Sequence, residues 1–188
     1  SVCLKKKNLT FCLDLFIVEL SGEKCVFLGF LPILGWVMFS GTIELALDAK
    51  GRLAIPTRHR AALCASASGV DAKVVLTLDP TGCLLLYPEA AWLPIAEKIN
   101  GLSAFNPRMR NLQRMIIGHA EYLELDSAGR ILVPPVLRER ADLGKAVAFV
   151  GQGNKFEVWD MARWDAMLAT IEPFALDDVP AELEGFSL

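Results

Sequence analysis

Two short segments of the chain carry the same five-residue pattern, Asp-x-x-Gly-Arg. The pattern runs from Asp48 to Arg52 and recurs from Asp126 to Arg130. An arginine that projects from a turn is a forked donor, able to bind the O6 and N7 atoms of guanine or a phosphate oxygen. The same pattern also fits a structural ion pair between the Asp and the Arg of each motif. Both motifs are therefore candidates for DNA contact, with a structural role as the alternative.

The two motifs lie within a longer internal repeat. Residues 45–56 align with residues 123–134 at an offset of 78, and residues 84–92 align with residues 156–164 at an offset of 72. Such self-similarity indicates two copies of one small unit. We assign residues 42–89 to repeat 1, 90–118 to a helical connector, 119–162 to repeat 2, and 163–188 to a C-terminal helix with an acidic tail.

Each motif is predicted to form a tight turn between two strands. Residues 43–48 alternate apolar with less apolar side chains, the period of a half-buried strand. Gly51 can adopt the positive φ that a tight turn needs, and the Asp48 carboxylate can accept hydrogen bonds from backbone N–H groups that follow it. Gly129 and Asp126 hold the same places in the second copy.

Each copy is predicted to contain, in order, strand, tight turn, strand, short helix, strand, strand and helix. Because a unit this small buries little apolar surface alone, we expect an α+β, mainly β fold in which the copies pack as a pseudo-dimer around one barrel-like sheet core with short helices. In the connector, Arg108, Arg110 and Arg114 alternate with Leu112 and Met115, which predicts an amphipathic helix with a cationic face.

The composition is that of a folded protein without a global basic charge. Of the 188 residues, 53% are hydrophobic and 22% charged, and 19 Lys and Arg against 22 Asp and Glu leave a net charge of -3. These values exclude a disordered, collagen-like or disulfide-scaffold protein. They do not exclude DNA binding, because a local cationic patch can act within an acidic molecule. Residues 172–188 hold acids but no Lys or Arg, which predicts an extended acidic tail.

Residues 1–37 have no counterpart in the repeat, and three interpretations of them remain open. Their apolar stretch, which runs over residues 25–39, is short for a membrane span. The segment is a mis-assigned translation start, a genuine apolar appendage or an export signal. We favour the first, because Met38 directly precedes the patterned region.

The residues do not suggest an enzyme, a metal site or a cofactor. His59 and His119 lie in different predicted elements, and we interpret His59 as a solvated residue of a surface helix. Cys64 and Cys83 are too few and too dispersed for a zinc site or a disulfide framework. Gly151–Asn154 resembles part of a phosphate loop but lacks its Lys and Ser/Thr, which favours a hairpin connection. Four aromatic residues at matching positions of the two copies favour core packing over a ligand cage: Tyr87, Trp92, Trp159 and Trp164.

From Met38 onward the chain resembles the MraZ family of bacterial regulators, which are associated with division and cell wall genes. The family belongs to the SpoVT/AbrB-like swapped-hairpin DNA-binding group. The segments that carry the resemblance are Met38–Gly41, Leu47–Arg52 with Ile55–Arg58, and Leu125–Arg130 with Val133–Pro135.

The resemblance implies a sequence-specific transcriptional regulator that binds direct repeats of double-stranded DNA in the promoter of its own operon and represses it. It further implies a ring-like homo-oligomer in the cytoplasm, associated with the nucleoid, with no cofactor and no membrane partner. By the motif match, Arg52 is the first candidate for DNA contact and Arg130 the second. The other site residues that the match implies are Lys50 and Arg58 for DNA binding and Asp48, Gly51, Asp126 and Gly129 for orienting the turns.

The second motif departs from the first at one position, where Ala128 replaces Lys50. The second copy therefore offers one cation fewer, and we expect it to contribute more to assembly than to DNA readout. A different class of function remains as an alternative. In that alternative the chain is a protein-interaction or assembly module, and its arginine turns form salt bridges between subunits.

Overall fold

The computed structural model describes residues 18–20, 23–25, 38–64, 73–103 and 105–171. The chain divides into two compact units, Ser1–Trp36 and Val37–Leu188. In the first unit, β1 (Val18–Leu20) and β2 (Glu23–Cys25) pair antiparallel. The interpretations of residues 1–37 otherwise concern residues outside the described ranges. The predicted acidic tail over 172–188 lies outside them as well.

The second unit contains the predicted order of elements twice. The elements of the first copy are β3 (Phe39–Ala46), β4 (Arg52–Ala54), α1 (Thr57–Leu63), β5 (Lys73–Leu78) and β6 (Leu84–Pro88), followed by α2 (Glu89–Asn100), which lies almost entirely in the segment assigned to the connector. A further helix, α3 (Pro107–Ile116), follows. Repeat 2 comprises β7 (Glu121–Glu124), β8 (Arg130–Leu132), α4 (Pro135–Arg140), β9 (Ala146–Gly153), β10 (Phe156–Asp160) and α5 (Met161–Leu168).

The two repeats are interlocked by strand exchange. The first strand of each repeat pairs antiparallel with the third strand of the other, so that β3 pairs with β9 and β7 pairs with β5. The sheet order is β3-β9-β10-β6-β5-β7, and β4 and β8 form a separate two-stranded sheet. The first strand of each repeat therefore depends on the other repeat for its partner, whereas β5 with β6 and β9 with β10 pair within one repeat.

The expected barrel-like closure of the sheet is wrong. The six-stranded sheet is open, with β3 and β7 at its edges. The second strands, β4 and β8, are three residues long and pair with each other. A bridge between Leu47 and Leu53 links β4 to the residue that follows β3, but β4 and β8 pair with no strand of the six-stranded sheet and do not connect its edges.

Both faces of the six-stranded sheet are covered by apolar side chains. Phe149 and Phe156, stacked with centroids 4.1 Å apart, lie on the face that packs against β4 and β8. The opposite face carries the four aromatic residues singled out above, Tyr87, Trp92, Trp159 and Trp164, all buried. Their predicted role in core packing is confirmed.

Two local predictions are also confirmed. Gly151–Asn154 lies at the hairpin between β9 and β10, where the Gln152 N–H donates to the Lys155 carbonyl at 2.9 Å. Helix α3 begins at Pro107 with Asn106 as its N-cap. It is amphipathic: Arg108, Arg110 and Arg114 are exposed, while Leu112, Met115 and Ile116 are half-buried.

Candidate nucleic-acid interface

The first motif forms the predicted turn. Oδ1 of Asp48 accepts hydrogen bonds from the backbone N–H groups of Lys50 and Arg52, each at 2.9 Å. Gly51 has a φ of 77° and donates its N–H to the Asp48 carbonyl at 2.8 Å. A residue with a Cβ would be strained at that φ, so the glycine allows the tight turn that brings Arg52 back beside Asp48.

The second motif repeats this geometry. Oδ1 of Asp126 accepts from the N–H groups of Ala128 and Arg130, each at 2.9 Å. Gly129 has a φ of 73° and donates to the Asp126 carbonyl at 2.7 Å. The two motifs are therefore equivalent in backbone as well as in sequence.

Each motif arginine pairs with the aspartate of its own turn. Nε of Arg52 donates to Oδ2 of Asp48 at 2.6 Å, and Nε of Arg130 donates to Oδ2 of Asp126 at 2.8 Å. The side chains of both pairs are about one-third exposed. A guanidinium has five N–H donors, so an arginine held at Nε by a carboxylate can still bind a second partner.

These bonds lower the pKa values of both carboxyl groups. The Arg52 N–H, then the Arg52 guanidinium and the Lys50 N–H, lower the pKa of Asp48 to about 2. The pKa of Asp126 is also lowered, first by the Arg130 guanidinium and then by the Arg130 N–H. Both aspartates are therefore charged at neutral pH, and each fixes the direction of its arginine.

The small sheet of β4 and β8 brings both motif arginines to one surface. Its register places Arg52 opposite Leu132 and Ala54 opposite Arg130. The alternate residues, Leu53 and Ile131, are fully buried, so period-two alternation turns the other four outward. The pKa of Arg130 is raised, first by its bond to Asp126 and also by the charge of Asp48 from the other repeat. We call this surface the arginine face; it comprises Asp48, Lys50, Arg52, Ala54, Asp126, Ala128, Arg130 and Leu132. Arg58 lies on α1, where its Nη2 is 3.9 Å from the position that a Cβ on Gly41 of β3 would take.

The two repeats differ in the cations that they expose. Lys50 and Arg58 of repeat 1 are exposed. At an offset of 78, repeat 2 has Ala128 in place of Lys50 and Val136 in place of Arg58. Val136 is 58% exposed, so the second difference also alters the surface. The replacement of Lys50 by Ala128 was recognised from the sequence. The replacement of Arg58 by Val136 was not, although the same alignment contains it.

The prediction that His59 is a solvated residue is wrong. His59 is half-buried, because the first turn of α1 lies over the aromatic core. Its ring is 4.9 Å from that of Phe156 and 6.0 Å from that of Phe39, both edge-on. Its Nε2 accepts from Nε of Arg58 at 2.9 Å. Burial, and then the charge of Arg58, lower the pKa of His59.

Sequence reasoning missed a second pair of arginines near the turns, Arg60 and Arg138. They occupy equivalent positions at an offset of 78, but that equivalence alone did not indicate a role. The guanidinium of Arg138 lies against Gly51, and that of Arg60 lies against Gly129. Each turn is thus in contact with an arginine of the other repeat.

The described residues offer little for other chemistry. Within them, no three His, Cys, Asp or Glu side chains come together as metal ligands. Cys64 and Cys83 are free thiols, and burial raises the pKa of Cys83 to about 12. No helix in the described ranges has the length and apolar character needed to cross a membrane.

Comparison with known proteins agrees with the repeat and the motifs. The model of the MraZ protein family matches the chain twice, over residues 38–115 and 116–185. Similar proteins named "Transcriptional regulator MraZ" include those of Nitrosomonas europaea, 50% identical, Thiobacillus denitrificans, 48% identical, and Methylobacillus flagellatus, 52% identical. Each aligns over 151 residues, which are 80% of this chain and the whole of the relative. The chain belongs to the MraZ family.

Proposed function

We propose that this chain is a sequence-specific DNA-binding transcriptional regulator that contacts DNA through the arginine face. The observation that carries the proposal is the register of β4 and β8, which brings Arg52 and Arg130 to one outward surface. The names of the relatives support transcriptional regulation.

Residues of the arginine face divide into two roles. Arg52 is held in direction by Asp48 and reads a base edge in the major groove, the commonest use of a directed arginine. Lys50 is exposed and lacks that fixed geometry, so it binds a phosphate and positions the protein. Arg58, on α1, donates from Nε to Nε2 of His59 and is a further candidate for a phosphate contact outside the arginine face. Arg130 contributes a weaker contact, because its turn has Ala128 where the first turn has Lys50.

The finer features of the proposal come from the family resemblance. The chain binds direct repeats in the promoter of its own operon, which contains division and cell wall genes, and represses it from a ring-like homo-oligomer in the nucleoid. One chain offers a single arginine face, so several copies on adjacent repeats raise apparent affinity through effective concentration. The open edges of β3 and β7 present backbone donors and acceptors that a second copy can pair with.

The assembly-module alternative assigns a different partner to the same arginines. It requires Arg52 and Arg130 to form salt bridges between subunits. Each already has a carboxylate partner in its own turn, at 2.6 and 2.7 Å, so a carboxylate of a second subunit and a DNA phosphate would both bind the N–H groups that this pair leaves free. The DNA titration below distinguishes the two functions.

The test is a binding titration with duplex DNA from upstream of the chain's own gene, against a scrambled duplex of equal composition. We expect preference for the upstream duplex, and an affinity that falls by about 0.9 log units per log unit of salt for each phosphate neutralised. Sedimentation of the same samples should show a species well above 20.6 kDa. Equal affinity for both duplexes would contradict the proposal, and a monomer that binds one repeat at full affinity would contradict the oligomer.

A further inference from the structure

The turn of repeat 1 is held from outside by repeat 2. A Cβ placed on Gly51 would lie 2.5 Å from Cζ and Nη1 of Arg138, so the guanidinium packs directly on the glycine. The carbonyl of the same glycine accepts from the N–H of Val133 at 3.0 Å. Both partners of Gly51 come from the segment that follows the motif in repeat 2.

The turn of repeat 2 is held by repeat 1 in the same manner. A Cβ on Gly129 would overlap the guanidinium of Arg60. The Gly129 carbonyl accepts from the N–H of Ile55 at 3.0 Å. The contacts are thus reciprocal across the pseudo-twofold relation between the repeats.

We infer that Arg138 and Arg60 are positioning residues, each of which limits the movement of the opposite repeat's DNA-facing turn. The inference rests on the proposed function for its effect on DNA, but the contacts themselves do not depend on it. Since Gly51 directly precedes Arg52, a turn free to move would spread the directions in which Arg52 points. Base readout requires a fixed direction, whereas attraction to phosphates does not.

The two positioning residues differ in one bond. Nε of Arg60 donates to the Ile55 carbonyl at 2.7 Å. Nε of Arg138 is buried and has no hydrogen-bond partner among the residues that the structure describes, which is unfavourable for the folded state. The buried Nε of Arg138 therefore lowers the stability of the folded state, while its guanidinium packs on Gly51. Replacing Arg138 should loosen the turn without destabilising the fold.

Hydrogen exchange of the free full-length chain tests the cross-repeat contacts without DNA. Arg138→Met should speed amide exchange in residues 48–52 and leave residues 126–130 unchanged, while Arg60→Met should do the reverse. Arg140→Met is the matched control, because Arg140 is exposed on the same helix as Arg138. Faster exchange only in the repeat that carries the substitution, or no change in either turn, would overturn the inference.

Binding to the upstream and scrambled duplexes then tests the effect on readout. Arg138→Met should lower the preference for the upstream duplex by about tenfold, with an unchanged salt slope and an undiminished melting temperature. A salt slope smaller by about 0.9, with equal losses on both duplexes, would instead show a direct phosphate contact. That result, or an unchanged preference, would overturn the positioning role. If the wild-type chain prefers neither duplex, the proposed function fails, and the exchange pattern still decides the inference.

A double substitution isolates the contact at Gly51. Gly51→Ala is strained by the φ of 77° whatever surrounds it, but its clash with the guanidinium disappears when Arg138 is also replaced by Ala. The loss of preference caused by Gly51→Ala should therefore be several-fold smaller in the Arg138→Ala background. Equal losses in both backgrounds would show that the two residues are not coupled.

Discussion

Arg52 donates from Nε to Oδ2 of Asp48 at 2.6 Å, across a turn in which the same aspartate also accepts two backbone N–H groups. One carboxylate thus builds the turn and sets the direction of the side chain that follows it. An arginine held in this way loses little freedom on binding, which favours readout of a base edge over diffuse attraction to phosphate.

Replacing the two motif arginines should have unequal effects on DNA binding. Arg52→Ala should cost about 1 to 3 kcal/mol of binding free energy and relax discrimination at one position of the operator. Arg130→Ala should cost less, because its half of the arginine face has Ala128 in place of Lys50. Titrations on the upstream duplex and its single-base variants measure both effects.

Thermal melts of the same variants provide the control. Both arginines lie at the surface and are about one-third exposed, so both variants should melt close to the wild type. If Arg52→Ala unfolded the protein or broke the oligomer while residual DNA affinity stayed intact, the pair with Asp48 would be structural and the assembly module would be favoured.

The difference between Lys50 and Ala128 predicts a change in salt dependence. Lys50→Ala should weaken binding to all sequences alike and reduce the salt slope by about 0.9, the value for one phosphate contact. Ala128→Lys should increase affinity and slope, because it restores the missing cation of repeat 2. Salt titrations of each variant measure the slope.

Lys98 offers a matched control, since it is exposed on α2, away from the motif turns. Lys98→Ala should leave the slope at the wild-type value. An equal reduction of slope by Lys98→Ala and Lys50→Ala would show attraction to the net charge of the whole chain rather than a contact at the turn.

Acid stability should depend on Asp48. Its pKa falls from 3.8 to about 2 in the folded chain, so the folded state binds its proton less readily than the unfolded state. The contribution of the Asp48 carboxylate to the free energy of unfolding is fully present above pH 3.8 and is lost as the pH falls toward about 2. Asp48→Asn should therefore show a smaller fall of melting temperature across that window.

Asp165→Asn controls for general charge effects, because Asp165 is exposed on α5. Its melting curve should follow the wild type at each pH. An acid-induced loss in Asp48→Asn as steep as in the wild type would show that the carboxylate contributes nothing to folding.

His59 should make stability depend on pH near neutrality. Burial and the charge of Arg58 lower its pKa below 6.5 in the folded chain. The contribution of the neutral His59 ring to the free energy of unfolding is present above pH 6.5 and is lost as the pH falls through the lowered pKa. His59→Phe preserves the aromatic packing, so its melting temperature should vary less between about pH 7 and pH 5.

His119→Gln is the comparison for the pH range in which His59 acts, since it removes the other histidine of the chain. If His59→Phe and His119→Gln reduced that dependence equally, the packing of His59 against Phe39 and Phe156 would not be its source.

The local structure of this chain follows from its sequence alone. A positive φ at Gly51 and the Asx hydrogen bonds of Asp48 depend on residues within one turn, so the motif predicts them directly. The order of strands and helices follows from hydrophobic period, which is also local. The 78-residue offset likewise predicted that two such turns exist.

Tertiary structure decided how the two copies meet. A period-two pattern specifies which face of a strand is buried but not which strand lies beside it, so the pairing of β3 with β9 and of β4 with β8 was not predictable. The open sheet, the burial of His59 and the contact of Arg138 with Gly51 all follow from that exchange. Residues far apart in the chain create these contacts, and no local pattern contains them.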